Sequence, residues 1–213
     1  MPTHTPIHMQ TPTPNSFSRR ATLGLIAGAL GVAVRPGSAR ALDAQGARVL
    51  VDKVVADINA VISSGRSESQ MFRDFERIFA RYADVPTIAR YALGVDARRA
   101  SARQLSEFTE VFARYMAVKY GKRFREFIGG RIEVDRARQV KSFYEVRTTA
   151  HLRGEAPFAV TFLVSDRSGE DKFFNMFIEG INMLLTERSE VGAMLDSRGG
   201  DIDRMIADLR KVG

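Results

Sequence analysis

The sequence has no cysteine and no tryptophan among its 213 residues, and only three histidines. Without thiols it can build no disulfide, zinc–thiolate site, iron–sulfur cluster or thiol nucleophile. His4 and His8 lie near the N-terminus, which leaves His151 to serve the rest of the chain. A serine triad would need that residue, and the alternation around it puts it on the wet face of a strand. No G-x-S-x-G elbow, P-loop or dinucleotide fingerprint occurs. Carboxylates such as Asp84, two before Pro86, and Glu179, inside an apolar stretch, are what remains for acid–base work. The expectation is a protein that is not an enzyme, with no catalytic residue and no metal.

Acid is missing from one region altogether. Residues 1–41 carry Arg19, Arg20, Arg35 and Arg40 and no aspartate or glutamate. Subtracting those four from the 32 lysines and arginines leaves 28 bases against 25 acids, so the high isoelectric point belongs largely to the N-terminal segment. A nucleic-acid protein keeps its basic excess in the folded part, usually clustered, and no nucleic-acid partner is expected here. Lysine is scarce as well, with six against a large majority of arginines. Arginine suits bidentate contact with phosphate, although GC-rich coding produces the same bias.

Long apolar runs are absent too. The uncharged segment Leu23 to Val34 is shorter than the roughly 20 residues of a membrane-spanning helix. It follows the pair Arg19–Arg20 and precedes Ala39-Arg40-Ala41, the three zones of an export signal with cleavage after Ala41. Ser18-Arg19-Arg20-Ala21-Thr22-Leu23 resembles the twin-arginine motif, and the general secretory route is the alternative. Residues 1–41 are thus expected to be a signal peptide, and 42–213 a soluble periplasmic domain without a lipoprotein anchor.

What is present is periodicity. Leu50, Val54, Ile58, Val61 and Ile62 recur at helical spacing behind a possible Asp43 cap. After "SSGRSES", a second helix has Met71, Phe72, Phe75, Ile78, Phe79 and Tyr82 as its stripe. "YADVPTIARYALG" places Pro86 at a helix start and Gly94 past its end. A long amphipathic helix follows, with Leu105, Phe108, Phe112, Tyr115 and Met116 continued by Tyr120, Phe124 and Phe127. The period then changes to two. Tyr144, Val146 and Ala150 alternate with Glu145, Arg147 and His151, and Phe158, Val160, Phe162 and Val164 share one face of the next strand. "RIEVDRAR" reads as an edge strand and "FFNMFIEGINMLL", residues 173–185, as a third central one. Short helices around 186–197 and 201–210 close the chain. Helices first and an antiparallel meander second make this α+β.

The 173–185 stretch has one charge, Glu179, and bulky side chains on both faces of any strand. With the long helix and the other strands it presents more apolar surface than one packing face needs. A second apolar layer or an internal cavity is required.

The end of the chain resembles the MlaC, or toluene-tolerance, family of periplasmic lipid-binding proteins. Its positions Asp166, Gly169, Lys172, Glu179 and Gly180, and the apolar Phe173, Met176, Ile178, Ile181 and Met183, match the family's V-x-D-x-x-G-x-W-K-V-x-D-V-x-V-E-G-V-S-L pattern. Ile206 and Leu209 match its closing helix. "DVPTIARYALG" and "SARQLSEFTEVFARYMAVKYGKRFREF" match upstream motifs in order, so the resemblance spans about residues 70 to 210. Asp171, Asn175 and Asn182 depart from the family's tryptophan, aspartate and serine, positions that the resemblance places near the pocket mouth.

The resemblance implies a twisted antiparallel sheet of about four strands, wrapped by helices and enclosing an apolar lipid cavity. It implies a carrier for phospholipid, or for a hopanoid or other polycyclic lipid. The partners it implies are an inner-membrane ABC transporter complex with a membrane-anchored ring protein, and an outer-membrane lipoprotein complex. Bound lipid would be the ligand, with no further cofactor. A ligand-free interaction subunit of the same system is the alternative from another class. On the facing stripes of helix and sheet, Phe112, Tyr115, Tyr144, Val146, Phe162, Val164, Phe174, Met176 and Ile178 are expected to line the lipid site.

Overall fold

The computed structural model describes residues 41–124 and 128–212, side chains 123 and 124 excepted. The expected signal peptide, but for Ala41, lies outside the described residues, as do the side chains of Phe124 and Phe127. Helix α1, Ala44–Ile62, starts where the Asp43 carboxylate accepts the Gly46 N–H at 2.6 Å. Ser67 opens α2, Glu68–Tyr82, in a capping box with Gln70. Asp84 caps α3, Val85–Ala92, with Pro86 in its first turn, where a missing N–H costs no helical bond. A 3₁₀ turn, Gly94–Arg98, leads to the long α4, Ala102–Phe124.

The strands follow in chain order: β1 Arg131–Val140, β2 Phe143–His151, β3 Phe158–Ser165, β4 Lys172–Ile178 and the two-residue β5, Ile181–Asn182. They form one antiparallel sheet in that same order. The fold is α+β, with helices α5, Met183–Asp196, and α6, Ile202–Val212, closing it.

Register fixes which side chains share a face. Ala150 pairs with Phe158, Val146 with Phe162 and Tyr144 with Val164, so these residues point to the side on which α1 lies. Two bulges interrupt the alternation. In β4, Val164 pairs with Phe173 and Leu163 with Asn175, so Phe174 is the extra residue. Phe173 therefore joins Met176 and Ile178 on the inner face, and Phe174 packs edge-on against Phe143 at 5.7 Å. In β1 the extra residue is Asp135, between Val134 and Arg136.

The stretch 173–185 is not a single strand. Glu179 and Gly180 both have positive φ, 50° and 83°, and Ile178 pairs with Ile181 across them as a two-residue hairpin turn. The chain then enters α5 at once, because the Asn182 carboxamide oxygen accepts the Leu185 N–H at 3.2 Å. Asn175 braces this corner from β4. Its Nδ2 donates to Asn182 Oδ1 at 3.0 Å, and its Oδ1 accepts the Leu184 N–H at 3.2 Å.

Helix α1 crosses β1 to β3, α2 packs on α1 and α4, and α3 and α6 pack on α4. Two α1 side chains also reach the outer edge of β1. Asn59 exchanges both backbone hydrogen bonds with Ile132 at 3.1 Å, and Arg48 donates to the carbonyls of Val134 and Asp135. The core contains Phe108 and Phe112 of α4, fully buried and stacked at 5.3 Å, with Val51, Val54, Val146 and Val164. Burying each such phenylalanine stabilises the fold by about 2 to 3 kcal/mol. No helix among the described residues is long and apolar enough to cross a membrane.

Candidate functional site

The helices do not seal against the whole inner face of the sheet. A cavity of about 480 Å³ remains between it and α1, α2 and α4. The sheet supplies Ile132, Phe158, Val160, Phe162, Phe173, Met176 and Ile178. Val54 and Ile58 come from α1, Phe75, Ile78 and Phe79 from α2, and Met116, Ala117, Tyr120 and Gly121 from α4. Leu152, Glu155 and Ala156 of the β2–β3 connection and Glu179 of the β4–β5 turn complete the lining. Glu155, Ala156 and Glu179 are exposed, so the mouth is at this end of the sheet.

Helical period puts these apolar groups here. Phe75, Ile78 and Phe79 are three and four apart, hence on one face of α2, and Met116 and Tyr120 are four apart on α4. In the sheet, the bulge at Phe174 is what lets Phe173 and Met176 share a face despite being three residues apart. Rings meet within the wall: Phe173 lies edge-on to Phe162 at 5.5 Å and tilted to Phe79 at 6.2 Å.

Three of the nine residues expected to line a lipid site, Phe162, Met176 and Ile178, are in this lining. The other six are elsewhere. Tyr144, Val146 and Val164 occupy the far end of the same sheet face, where Val146 and Val164 are fully buried and the Tyr144 hydroxyl donates to the Leu42 carbonyl at 2.9 Å. Phe112 and Tyr115 belong to the α4 core stripe that stacks with Phe108. Phe174 is turned away by the bulge. The α2 stripe is visible as periodicity, and Met116 and Tyr120 of α4 read as part of one stripe with Phe112 and Tyr115, but a stripe does not reveal which neighbour it faces.

One lining residue has a polar group tied into the protein behind the wall. The Tyr120 hydroxyl donates to Glu187 Oε1 at 2.5 Å, and Lys119 Nζ reaches the same oxygen at 2.7 Å and Glu190 Oε2 at 2.5 Å. The Tyr115 hydroxyl donates to Glu190 at 3.1 Å. Burial, reinforced by Glu187, holds the Tyr120 phenol well above its usual range, and burial first of all pushes Tyr115 up to about 12. Burial disfavours the Lys119 ammonium, yet its hydrogen bonds to Glu187 and Glu190 raise its pKa overall. Both phenols are therefore neutral donors, and the ammonium bridges two carboxylates. Glu187 is almost wholly buried, and its Oε2 has no partner among the described residues.

His151, at the end of β2, lies 3.3 Å from Glu133 and outside the lining. No group of His, Asp or Glu among the described residues is arranged to hold a metal. The arrangement suits binding of an apolar molecule with a polar end at the mouth.

The model of the MlaC protein family matches residues 48–211. Among solved structures, a phospholipid-binding protein from Ralstonia solanacearum, in complex with a phospholipid, has a similar fold. It superposes with a TM-score of 0.67 at 19% sequence identity, covering 78% of this chain and 96% of that one. No curated protein matches the sequence.

Proposed function

From the chain's membership of the MlaC family, which the match over residues 48–211 establishes, we propose that it is a periplasmic phospholipid carrier. It holds acyl chain in the cavity and leaves the headgroup at the mouth by Glu155 and Glu179. In this reading residues 1–41 export it, by the twin-arginine route, and are cleaved after Ala41. It then shuttles lipid between an inner-membrane ABC transporter complex with its membrane-anchored ring protein and an outer-membrane lipoprotein complex.

The observation that carries this reading is the apolar cavity of about 480 Å³ in a wall of aliphatic and aromatic side chains. A methylene group is about as large as a water molecule, whose share of the liquid is about 30 Å³, so the cavity takes roughly 16 of them. At about 0.8 kcal/mol each, such a chain is stabilised by roughly 13 kcal/mol relative to water. Bilayers and apolar partner sites solvate the chain about as well as the cavity does. Transfer is then close to neutral, and its direction comes from the partners.

The test is native mass spectrometry of the purified protein, with extraction of whatever lipid it carries. We expect a phospholipid adduct, a lower melting temperature after delipidation, and recovery on adding phospholipid vesicles, since ligand bound only to the native state stabilises it. A hopanoid adduct would change the cargo and keep the carrier. A bare polypeptide, with no thermal shift from either lipid, would leave the ligand-free interaction subunit.

A further inference from the structure

A second recess, of about 390 Å³, is formed on another part of the helical layer. Arg90 and Tyr91 of α3, Val95 and Arg98 of the 3₁₀ turn, and Arg188 of α5 line it, with Thr87 and Gly94. All three guanidinium side chains are on exposed residues, and no described carboxylate pairs with any of them. That is unlike the other places where arginines converge. Arg66 and Arg77 meet on Asp74, and Arg103 and Arg210 meet on Glu107. In the recess three like charges line one space with no carboxylate among the lining residues, so an anion entering from outside meets no internal competitor.

The recess is also shaped. Arg188 lies over the Tyr91 ring at 5.2 Å, which orients its planar donors. Gly94 lies directly beneath it: a Cβ there would stand 3.1 Å from Arg188 Nε. Guanidinium groups fit phosphate oxygens in bidentate geometry. The rim is apolar rather than acidic, with Val95 66% and Tyr91 37% exposed. An apolar side chain beside phosphate-binding groups suits a bilayer surface, where hydrocarbon lies just beneath the phosphates, and Tyr is at home at such an interface.

We propose that Arg90, Arg98 and Arg188, with Tyr91 and Val95, form a docking site for the phosphates of an anionic phospholipid bilayer. The site is separate from the cargo cavity and does not depend on what that cavity holds.

Vesicle co-sedimentation of the purified protein tests it. Vesicles containing phosphatidylglycerol should bind the protein more tightly than vesicles of phosphatidylcholine alone. Replacing the three arginines together (R90Q, R98Q, R188Q) should weaken that binding by roughly 100-fold, the contribution of three basic residues at an anionic surface. The charge-matched R136Q, R147Q, R167Q variant should bind within a few-fold of the parent. Equal loss in both variants would reduce the effect to net charge and overturn the site. So would unchanged binding in the first, or inorganic phosphate alone binding as tightly as the vesicles. Capture of an acidic partner protein without any vesicle binding would also overturn it. Lipid carried by the same samples, read by native mass spectrometry, reports on the cavity, so failure of one site is distinguishable from failure of the other.

Discussion

The two recesses are close in size, about 480 and 390 Å³, and nearly opposite in chemistry. One is bounded by a sheet face and three helices whose side chains are almost all hydrocarbon. The other is bounded by two helices and a 3₁₀ turn that bring three guanidinium groups together. In both, the lining decides what can enter. Behind the cavity wall Tyr115, Lys119 and Tyr120 are paired with Glu187 and Glu190, whereas no described carboxylate pairs with the arginines of the recess. Charges beside the cavity are answered within the protein, whereas the three that converge on the recess are the ones we propose meet a partner.

The largest effect should come from making the cavity resemble the recess. Met176→Lys places an ammonium in the hydrocarbon lining, where an unpaired charge is strongly disfavoured. We expect lipid carried per protein to fall by at least about tenfold, measured by extraction and mass spectrometry and checked against circular dichroism for folding. Arg147→Glu, on the exposed outward face of β2, should retain its lipid. A folded Met176→Lys protein with full lipid would refute the cavity as the cargo site.

A smaller effect is expected from Glu187→Ala, which cuts the link between the two regions on α5. Glu187 holds Lys119 and Tyr120 behind the cavity wall, and its neighbour Arg188 lines the recess. Losing the carboxylate removes two hydrogen bonds to a charged group, but Lys119 keeps Glu190 and is partly exposed. We expect about 2 kcal/mol of destabilisation, read from the urea midpoint. Binding to anionic vesicles should change by less than about twofold, because Arg188 retains its own contact with Tyr91.

The smallest change concerns a charge that is satisfied. Asp74 of α2 is buried, which by itself opposes ionisation, but Arg66 and Arg77 outweigh burial and hold its pKa below the usual carboxylate value. A carboxyl depressed by folding adds stability above its unfolded pKa, near 4, and loses it as pH falls through the lower folded value. Asp74→Asn should therefore cost about 1 kcal/mol at neutral pH and flatten the loss of stability below about pH 4, followed by denaturant titration across pH. Unaltered acid sensitivity would show that the pair contributes nothing.

Much of this could be read from the sequence, and the exceptions share a cause. Asp43, Pro86 and the period-two strands announced their elements, and the order of helices and strands followed. The resemblance along residues 70 to 210 pointed to an apolar cavity. The misplacements arise where one residue breaks a period. The extra residue Phe174 reverses inward and outward along β4, so alternation selected Phe174 when Phe173 faces the cavity. Glu179 and Gly180 turn the chain through left-handed backbone, so an apolar run that read as one strand becomes strand, turn and helix. Phe112 and Tyr115 show a different limit: α4 is apolar around more than one face, and only packing decides that Met116 and Tyr120 meet the cavity. The asparagines at 175 and 182, departures from the family pattern, hydrogen-bond to each other and hold the corner after β4.

The hold of α1 on the outer edge of β1 bears on a hazard of any open sheet. An unpaired edge strand is a template on which another chain can add a strand, and repetition of that step leads to polymer. Here Asn59 takes both edge groups of Ile132, Arg48 takes the carbonyls of Val134 and Asp135, and the Asp135 bulge spoils the register a newcomer would need. Arg131, Glu133, Arg136 and Arg138 add charge along the same strand. At the other end of the sheet, β5 has only two residues to offer. Addition at β1 first requires α1 to let go, so resistance to fibre formation at this edge is tied to the helix that also walls the cavity.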